Sequence, residues 1–209
     1  LWPAVANETI PDTTGSKIGT KPADLSAPDY YGKPHTLAEY QESDAIVLVF
    51  LGTECPLVRA YGPRLTELAK PFADKKVTFL GINSNRQDSL EEIKAYARQY
   101  GIEFPILKDN DSRIADLVGA IRTPEAVVLD RQRIIRYHGR IDDRMGVGYA
   151  KNKANSEDLV AALDDLLADR EVKVSSTPAP GCHIGRTQSV APTGNITFTT
   201  QVSRILQDR

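Results

Sequence analysis

The stretch DAIVLVFLG, residues 44–52, constrains the fold of this chain more than any other segment. It is a continuous apolar run rich in β-branched residues, which is typical of a strand buried on both faces. A strand of that kind needs other secondary-structure elements to cover each of its faces. The segment therefore predicts a layered fold with this strand in its interior.

Helices and strands alternate along the chain up to about residue 172. This alternation predicts a parallel core sheet, to which a late hairpin adds an antiparallel edge. Beyond residue 172 the pattern fades into a turn-rich segment. After the first strand, the predicted elements are a helix over 56–72, a strand over 76–83, a helix over 88–101, a strand over 104–109, a short helix over 111–119, a hairpin over 125–139 and a helix over 155–170.

The first two predicted helices carry local signals. Pro63 lies inside the first helix and predicts a kink, because proline removes a backbone N–H and crowds the preceding turn. In the second helix, Asp88 is the predicted N-cap, with Glu91 three residues later, and Gly101 is the predicted end. Leu90 is expected on the inward face of that helix.

The composition excludes several classes of protein. The 209 residues are 41% hydrophobic and 26% charged, which is ordinary for a globular chain. The net charge of −2 gives no footprint for nucleic acid or for an anionic membrane. No apolar run reaches the ~18 residues that a membrane span needs. We expect a flexible lead-in over 1–22, one folded domain over 23–172 and a C-terminal arm over 173–209.

The chain has two cysteines, Cys55 and Cys182, which are too few for a disulfide scaffold. Their number and positions leave three interpretations open. They are two buried thiols, one reactive thiol with a bystander, or a redox pair that meets only in the folded chain.

Cys55 lies where the buried strand ends and a helix begins. Sites form at that edge of open α/β sheets, and the free N–H groups and positive end of a helix stabilise a thiolate. Pro56 suits the first helical turn, whereas Glu54 would raise the thiol pKa if its side chain pointed inward. We expect an exposed and reactive thiol at Cys55; the alternative is a small apolar residue of the core.

The segment VFLGTECPLVRAYGPRL resembles the active-site segment of thioredoxin-like proteins, in particular redoxins of the alkyl hydroperoxide reductase/thiol-specific antioxidant type. A Cys-Pro pair follows a hydrophobic strand, Pro63 lies eight residues after Cys55, and RTPEAVVLD, residues 122–130, places Thr-Pro just before a strand. The resemblance covers residues 20–170. It implies a thioredoxin-like α/β fold, with a central mixed sheet flanked by helices and a C-terminal arm that carries Cys182.

The resemblance also implies which residues shape the site. Thr123–Pro124 would form a cis peptide that faces Cys55 and holds a backbone edge open for an extended partner chain. The residues expected around the substrate are Thr53, Glu54, Pro56, Arg122, Thr123, Pro124 and Glu125.

Three positions depart from the families that the segment resembles. Val58 replaces the second cysteine of a Cys-x-x-Cys motif, so a disulfide within that motif is impossible. Peroxiredoxins carry threonine three residues before the cysteine, where this chain has Gly52, with Thr53 one step too close. They carry arginine in place of the cis-proline, where this chain has Pro124 and places Arg122 two residues earlier. These departures argue against efficient peroxidase chemistry.

Cys182 lies in the segment PAPGCHIGR, which we expect to be flexible. An extended peptide covers ~3.3 Å per residue, so a mobile arm can bring Cys182 to Cys55. We hypothesise that Cys182 is a distal resolving thiol that forms a Cys55–Cys182 disulfide; an unpaired Cys182 is the alternative. In the entropic model, closing so long a loop stabilises the oxidised form by about 4–5 kcal/mol.

No cofactor is expected in this chain itself, because covalent haem needs a Cys-x-x-Cys-His motif, which is absent. The segment ITFTTQVSRILQDR, residues 196–209, resembles the lead-in to such a motif in bacterial proteins that fuse a redoxin to a cytochrome. This resemblance implies a longer protein with a haem domain, or a cytochrome partner, that exchanges electrons with the thiol.

Four further residues have both a functional and a structural interpretation. Asp142 and Asp143 form either a cation site or a contact near the thiol, or they belong to a solvated loop and pair with Arg140 or Arg144, which is favoured. Glu125 is either a proton acceptor near the sulfur or a surface carboxylate at a strand edge. His138 ends a strand, where a structural role is favoured over a ligand. No metal site is predicted, and a copper carrier is disfavoured because such carriers usually have two closely spaced cysteines.

Together these features predict a bacterial thiol–disulfide oxidoreductase that acts outside the cytoplasm, whether periplasmic, secreted or anchored. Cys55 would attack, Pro124 would shape the substrate edge and Cys182 would resolve the mixed disulfide. The substrate would be a protein thiol or disulfide. The alternatives are a thiol-dependent peroxidase and a non-catalytic redoxin module that partners a haem domain.

Overall fold

The computed structural model describes residues 17–186. Within that range the helices are α1 (Pro56–Ala73), α2 (Leu90–Tyr100), α3 (Arg113–Val118) and α4 (Asp158–Leu167), with a 3-10 turn at Leu37–Tyr40. The strands are β1 (Ser26–Pro28), β2 (Pro34–Thr36), β3 (Ala45–Phe50), β4 (Val77–Asn83), β5 (Ile106–Lys108), β6 (Arg122–Thr123), β7 (Glu125–Asp130), β8 (Ile135–Gly139), β9 (Met145–Gly146), β10 (Tyr149–Ala150) and β11 (Cys182–His183).

Five strands form the central sheet in the order β5-β4-β3-β7-β8. β3 pairs in parallel with β4, and β4 with β5, whereas β7 is antiparallel to both β3 and β8. The predicted parallel core with an antiparallel hairpin at its edge is therefore confirmed. The registers place Phe50 beside Ile82 on one side and beside Glu125 on the other, so three strand ends meet at one edge of the sheet.

β3 lies at the centre of two apolar cores, and all six of its residues are fully buried. Alternate side chains point to opposite faces of the sheet. On one face Val47 belongs to a cluster with residues of α1, α2 and α4. On the other face Leu48 belongs to a cluster with residues of α3, and each such side chain contributes about 1.5–3 kcal/mol through burial. The layered fold predicted from this strand follows from that packing.

The N-terminus of α2 differs from the prediction. Ser89, and not Asp88, is the N-cap, and its hydroxyl and the Glu92 carboxylate form a reciprocal capping box. Asp88 is unsuited to that role because its side chain is buried and accepts hydrogen bonds from inside the fold. Leu90, predicted to point inward, is 46% exposed. Gly101 ends the helix with φ of 61°, as predicted.

The loop that carries the acidic pair is held by α1, and the favoured prediction of a solvated loop is wrong for Asp142. Its carboxylate is fully buried and accepts hydrogen bonds from the Tyr61 hydroxyl at 2.5 Å and from Arg64 Nε at 2.6 Å. Asp143 is partly buried, and its carboxylate pairs with Lys151 at 2.7 Å. Helix α1 itself continues through Pro63, inside the uninterrupted span Pro56–Ala73.

The arm was expected to be mobile, and the structure contradicts this as far as residue 186. Cys182 and His183 form strand β11, which pairs with β6, and Ile184 is buried in one of the two cores. Backbone pairing and apolar burial together fix this stretch. The predicted haem lead-in, residues 196–209, and the first 16 residues lie outside the described part of the chain. No helix within residues 17–186 combines the length and apolarity that crossing a bilayer requires.

Candidate active site

Cys55 occupies the junction that the sequence predicts, between the end of β3 and the start of α1. It is the N-cap residue of α1, and Pro56 takes the first helical position. Its sulfur is therefore close to the positive end of the helix. The expectation of an exposed thiol is wrong, however, because Cys55 is only 4% exposed.

The sulfur of Cys55 contacts the loop that precedes β7. The thiol donates a hydrogen bond to the Thr123 carbonyl oxygen at 3.1 Å. The peptide bond between Thr123 and Pro124 is cis. Thr123 is also fully buried. The structure thus brings together Cys55 and the Thr-Pro pair that the family resemblance places opposite it.

The segment 181–186, which we call the strap, covers this contact. Antiparallel pairing sets Cys182 beside Thr123 and His183 beside Arg122. The Arg122 guanidinium donates to the Gly181 carbonyl oxygen at 2.8 Å. The strap therefore lies along the edge that an extended partner chain would otherwise use, and this is the physical reason for the burial of Cys55.

Further contacts hold the other end of the strap. The Gly185 N–H donates to Asn85 Oδ1 at 2.8 Å, and the Gly185 carbonyl oxygen accepts from the Arg86 N–H at 2.8 Å. Arg186 donates to the Ala120 carbonyl oxygen at 2.6 Å and also forms an ion pair with Asp116. The strap is therefore bound on both sides of Cys182.

The two cysteines lie close together as free thiols, Cys55 buried and Cys182 exposed. Burial raises the pKa of Cys55, but hydrogen bonds from the Cys182 thiol and from the Val58 and Cys182 N–H groups together bring that pKa below its ordinary value. The hydrogen bond to Cys55, with burial and the charge of the neighbouring thiolate, raises the pKa of Cys182 to about 11. The pair therefore ionises first at Cys55.

The other residues predicted around the substrate divide into two groups. Glu54 and Pro56 are exposed, so the Glu54 side chain does not point into the interior. Thr53 is buried, and its N–H donates to Asp88 Oδ2 at 2.8 Å while its carbonyl oxygen accepts from Arg59 Nε at 2.7 Å. Thr53 thus anchors the loop before Cys55.

One of the two interpretations of Glu125, a surface carboxylate at a strand edge, is wrong. Its side chain is 0% exposed, and its Oε2 accepts the N–H groups of Ile121 and Arg122 at 2.8 and 2.9 Å. Its Oε1 lies 2.9 Å from Nε2 of His138, which is also fully buried. Glu125 therefore fixes the loop whose backbone contacts both cysteines, and the structural role favoured for His138 agrees with this contact.

A buried polar network that supports the loop before Cys55 was not predicted from the sequence. Lys108 Nζ donates to Asn83 Oδ1 and to the carbonyl oxygens of Asn85 and Asp88, at 2.6 to 2.9 Å. Burial lowers the pKa of Lys108 despite the nearby carboxylates. Asp88 links this network to Thr53. The residue that could have indicated this network in the sequence is Asp88. It was assigned as a helix cap, and its role as a buried hydrogen-bond acceptor was therefore not considered.

Across 17–186, no three His, Cys, Asp or Glu side chains are grouped so that they could hold a metal ion. The arrangement present, a buried low-pKa thiol beside an exposed second thiol, is that of a dithiol able to close to a disulfide.

Comparison with known proteins gives a consistent result. A family model described as AhpC/TSA family matches residues 18–138. The thiol-disulfide oxidoreductase ResA of Bacillus thuringiensis subsp. konkukian is 24% identical over 115 residues, which cover 55% of this chain and 65% of that protein. The chain thus spans less than two thirds of the length of this relative. The chloroplastic peroxiredoxin Q of Sedum lineare is 23% identical over 125 residues, which cover 56% and 66% of the two chains.

A solved structure aligns over a larger share of the chain. A hypothetical protein from Sinorhizobium meliloti 1021 is 34% identical, with a TM-score of 0.75, over 82% of this chain and 95% of that one. Other matched structures share the thioredoxin-like fold, so the predicted fold class is confirmed.

Proposed function

The chain belongs to the AhpC/TSA family, and from that premise we propose that it is a thiol–disulfide oxidoreductase with Cys55 as nucleophile and Cys182 as second redox thiol. The observation that carries this proposal is the pairing of β11 with β6, which sets Cys182 next to Cys55. A thiolate is the attacking species in disulfide exchange, and Cys55 is the thiol whose pKa is lowered.

The reaction moves two electrons between the cysteine pair and a partner. In the reduced protein both sulfurs are thiols or thiolates; in the oxidised protein a Cys55–Cys182 bond joins them, and the partner disulfide has become two thiols. The Thr123 and Cys182 backbones and Pro124 shape the surroundings of the sulfur, and Thr53, Arg122 and Glu125 position the two loops that carry them. None of these steps needs a cofactor in the described part of the chain.

A thiol peroxidase is a second candidate, favoured by the match to a peroxiredoxin. Hydrogen peroxide is small enough to approach a sulfur that the strap hides from larger reactants. Fast consumption of peroxide, with slow reaction towards disulfides, would favour this function over the first.

The site of action that we propose is outside the bacterial cytoplasm, where disulfides persist. Protein thiols or disulfides are the proposed substrates, and a cytochrome partner stays a proposal that rests on residues 196–209. A further candidate is a module that partners a haem domain without catalysis, for which Cys55 would show an ordinary pKa of ~8.5 and no exchange activity.

The test is the pH dependence of Cys55 alkylation in the wild type and in Cys182→Ala, with mass mapping of the oxidised protein under non-reducing conditions. We expect a Cys55–Cys182 disulfide, and a wild-type midpoint below the ordinary thiol value. In Cys182→Ala the midpoint should move to higher pH, because the thiolate loses the hydrogen bond from the Cys182 thiol. Two free thiols after mild oxidation, with an unshifted midpoint, would rule the proposal out.

A further inference from the structure

We propose that external thiols and disulfides exchange at the sulfur of Cys182, and that Cys55 reacts only with Cys182 inside the molecule. This inference rests on the proposed function and reverses the order of contact in a thioredoxin-type mechanism, where the cysteine at the helix start meets the partner. Electrons would then enter and leave the protein through the sulfur of Cys182 in the strap.

Access to the two sulfurs differs sharply. Thiol–disulfide exchange requires the attacking sulfur to reach a sulfur along its S–S bond, so access decides which sulfur reacts. Cys55 is only 4% exposed beneath the strap, whereas Cys182 is an exposed residue of the strap itself. A partner too large to enter the site therefore meets Cys182 first.

The strap also excludes the usual mode of partner binding. Thr123 and Arg122 already pair with Cys182 and His183, so their backbone edge has no vacancy for an extended chain. The strap is docked although both cysteines are free thiols. Hydrogen bonds hold it in place, one from Arg122 to Gly181 and two between Gly185 and residues 85 and 86. Docking thus does not depend on the disulfide, and Cys55 is covered in the reduced protein as well.

The backbone donors around Cys55 suit attack at Cys182. When an incoming thiolate attacks the Cys55–Cys182 disulfide, the sulfur that leaves carries the electron pair, and a sulfur of lower pKa leaves faster. The N–H groups of Val58 and Cys182, which stay in place when Cys182 forms a mixed disulfide, donate to Cys55, lower its pKa and stabilise it as the departing thiolate.

The steps balance in both directions. In reduction, a partner thiolate bonds to Cys182 Sγ, the Cys55–Cys182 bond breaks and Cys55 keeps the electron pair. A second partner thiolate then attacks the partner sulfur of this mixed disulfide, the two partner sulfurs form a disulfide, and Cys182 leaves as a thiolate and takes a proton from water. In oxidation, Cys182 passes its proton to the Cys55 thiolate and attacks a partner disulfide. The departing partner thiolate takes that proton from Cys55, which then attacks Cys182 and releases the second partner thiolate.

The test traps the mixed disulfide. Full-length oxidised protein is mixed with glutathione, quenched with acid, alkylated with N-ethylmaleimide and mapped by mass spectrometry. We expect glutathione on Cys182 and the maleimide on Cys55, with the opposite adduct at least about tenfold rarer. Glutathione mainly on Cys55, or equally on both cysteines, overturns the inference while leaving the proposed function intact. Failure to form any Cys55–Cys182 disulfide overturns the proposed function, and this inference with it.

A strap variant provides the matched control. In Gly181→Ala the new Cβ would lie 2.2 Å from the Thr123 carbonyl oxygen, so the strap must shift away from β6. Gly148→Ala also places a side chain on a backbone of positive φ, 81° compared with 143° at Gly181, but in open space. We expect the fraction of glutathione on Cys55 to rise in Gly181→Ala and to stay at the wild-type level in Gly148→Ala. An unchanged adduct ratio in Gly181→Ala, with the strap shown to be displaced by faster alkylation of reduced Cys55, contradicts the inference.

Discussion

Strand β7 begins with one carboxylate, Glu125, and ends with another, Asp130, and the two ends are built in different ways. Each carboxylate accepts two backbone N–H groups of an adjacent loop, Glu125 from residues 121 and 122 and Asp130 from residues 132 and 134. Glu125 contacts His138, and both are fully buried, whereas Asp130 pairs with Arg136, whose side chain is 43% exposed.

The difference teaches which polar contacts are costly to lose. At the Asp130 end, water can replace a lost partner, so the ion pair is worth little by itself. At the Glu125 end, donors left without the carboxylate stay buried and pay the full cost of desolvation. The end next to the cysteines therefore depends on an unbroken set of buried contacts, and four substitutions test this contrast.

The largest effect is expected from Glu125→Ala. It removes the acceptor of two loop N–H groups and the partner of His138 inside the fold. We expect the free energy of unfolding to fall by about 3–5 kcal/mol in urea titrations. Glu125→Gln keeps one carbonyl oxygen and should lose less. A loss under about 1 kcal/mol for Glu125→Ala would mean that water reaches this end of the strand as easily as the other.

The next effect is expected from Gly139→Ala, at the same end of the sheet, where Gly139 pairs with Ala126. The added Cβ would lie 2.2 Å from Thr177 Oγ1 and 2.4 Å from the Thr177 carbonyl oxygen. We expect a loss of about 1–3 kcal/mol, because the chain leading to the strap must move away from β8. Thermal and urea unfolding measure it, and a neutral result would show that this chain segment is loosely packed.

Asp130→Ala should cost less than Glu125→Ala although it removes as many hydrogen bonds. The N–H groups of Gln132 and Ile134 lie in a turn that water can reach, and Arg136 can turn outward. We expect about 1–2 kcal/mol in the same urea titration. Equal losses for the two carboxylates would remove the contrast between the ends.

The smallest effect is expected from Arg136→Ala, which removes only the exposed partner of Asp130. Double-mutant cycles with Asp130→Ala should give a coupling of about 0.2–1 kcal/mol that shrinks at high salt. A coupling above about 2 kcal/mol would show that this surface pair behaves like a buried one.

Much of the fold could be predicted because local sequence patterns indicate its helices and strands. The apolar run of β3, the span of α1 and the glycine that ends α2 each depend on neighbouring residues, and each lies where the pattern predicts. The N-cap of α2 was misassigned because Ser89 and Asp88 are adjacent residues of equal capping ability, and the choice is made by the buried partners of Asp88.

The site was predictable only in part, for the same reason. Cys55 and Thr123–Pro124 lie in sequence segments that resemble known motifs, so their positions in the site could be predicted. Docking of the strap depends on contacts between residues far apart in the chain, such as Gly185 with Asn85 and Cys182 with Thr123, and no local pattern encodes them. The expected mobility of the arm and exposure of Cys55 were both wrong because the same strap contacts were not visible.

The central place of β3 has a consequence for how this chain is made. One edge of β3 pairs with β4, which is synthesised soon after it. Its other edge pairs with β7, which is synthesised only after α2, β5, α3 and β6. During that interval a wholly apolar strand has a bare row of N–H and C=O groups, the kind of surface on which nascent chains stick to one another. A chaperone that shields residues 45–50 until the hairpin appears would therefore raise the yield of folded protein more than one acting on any later segment.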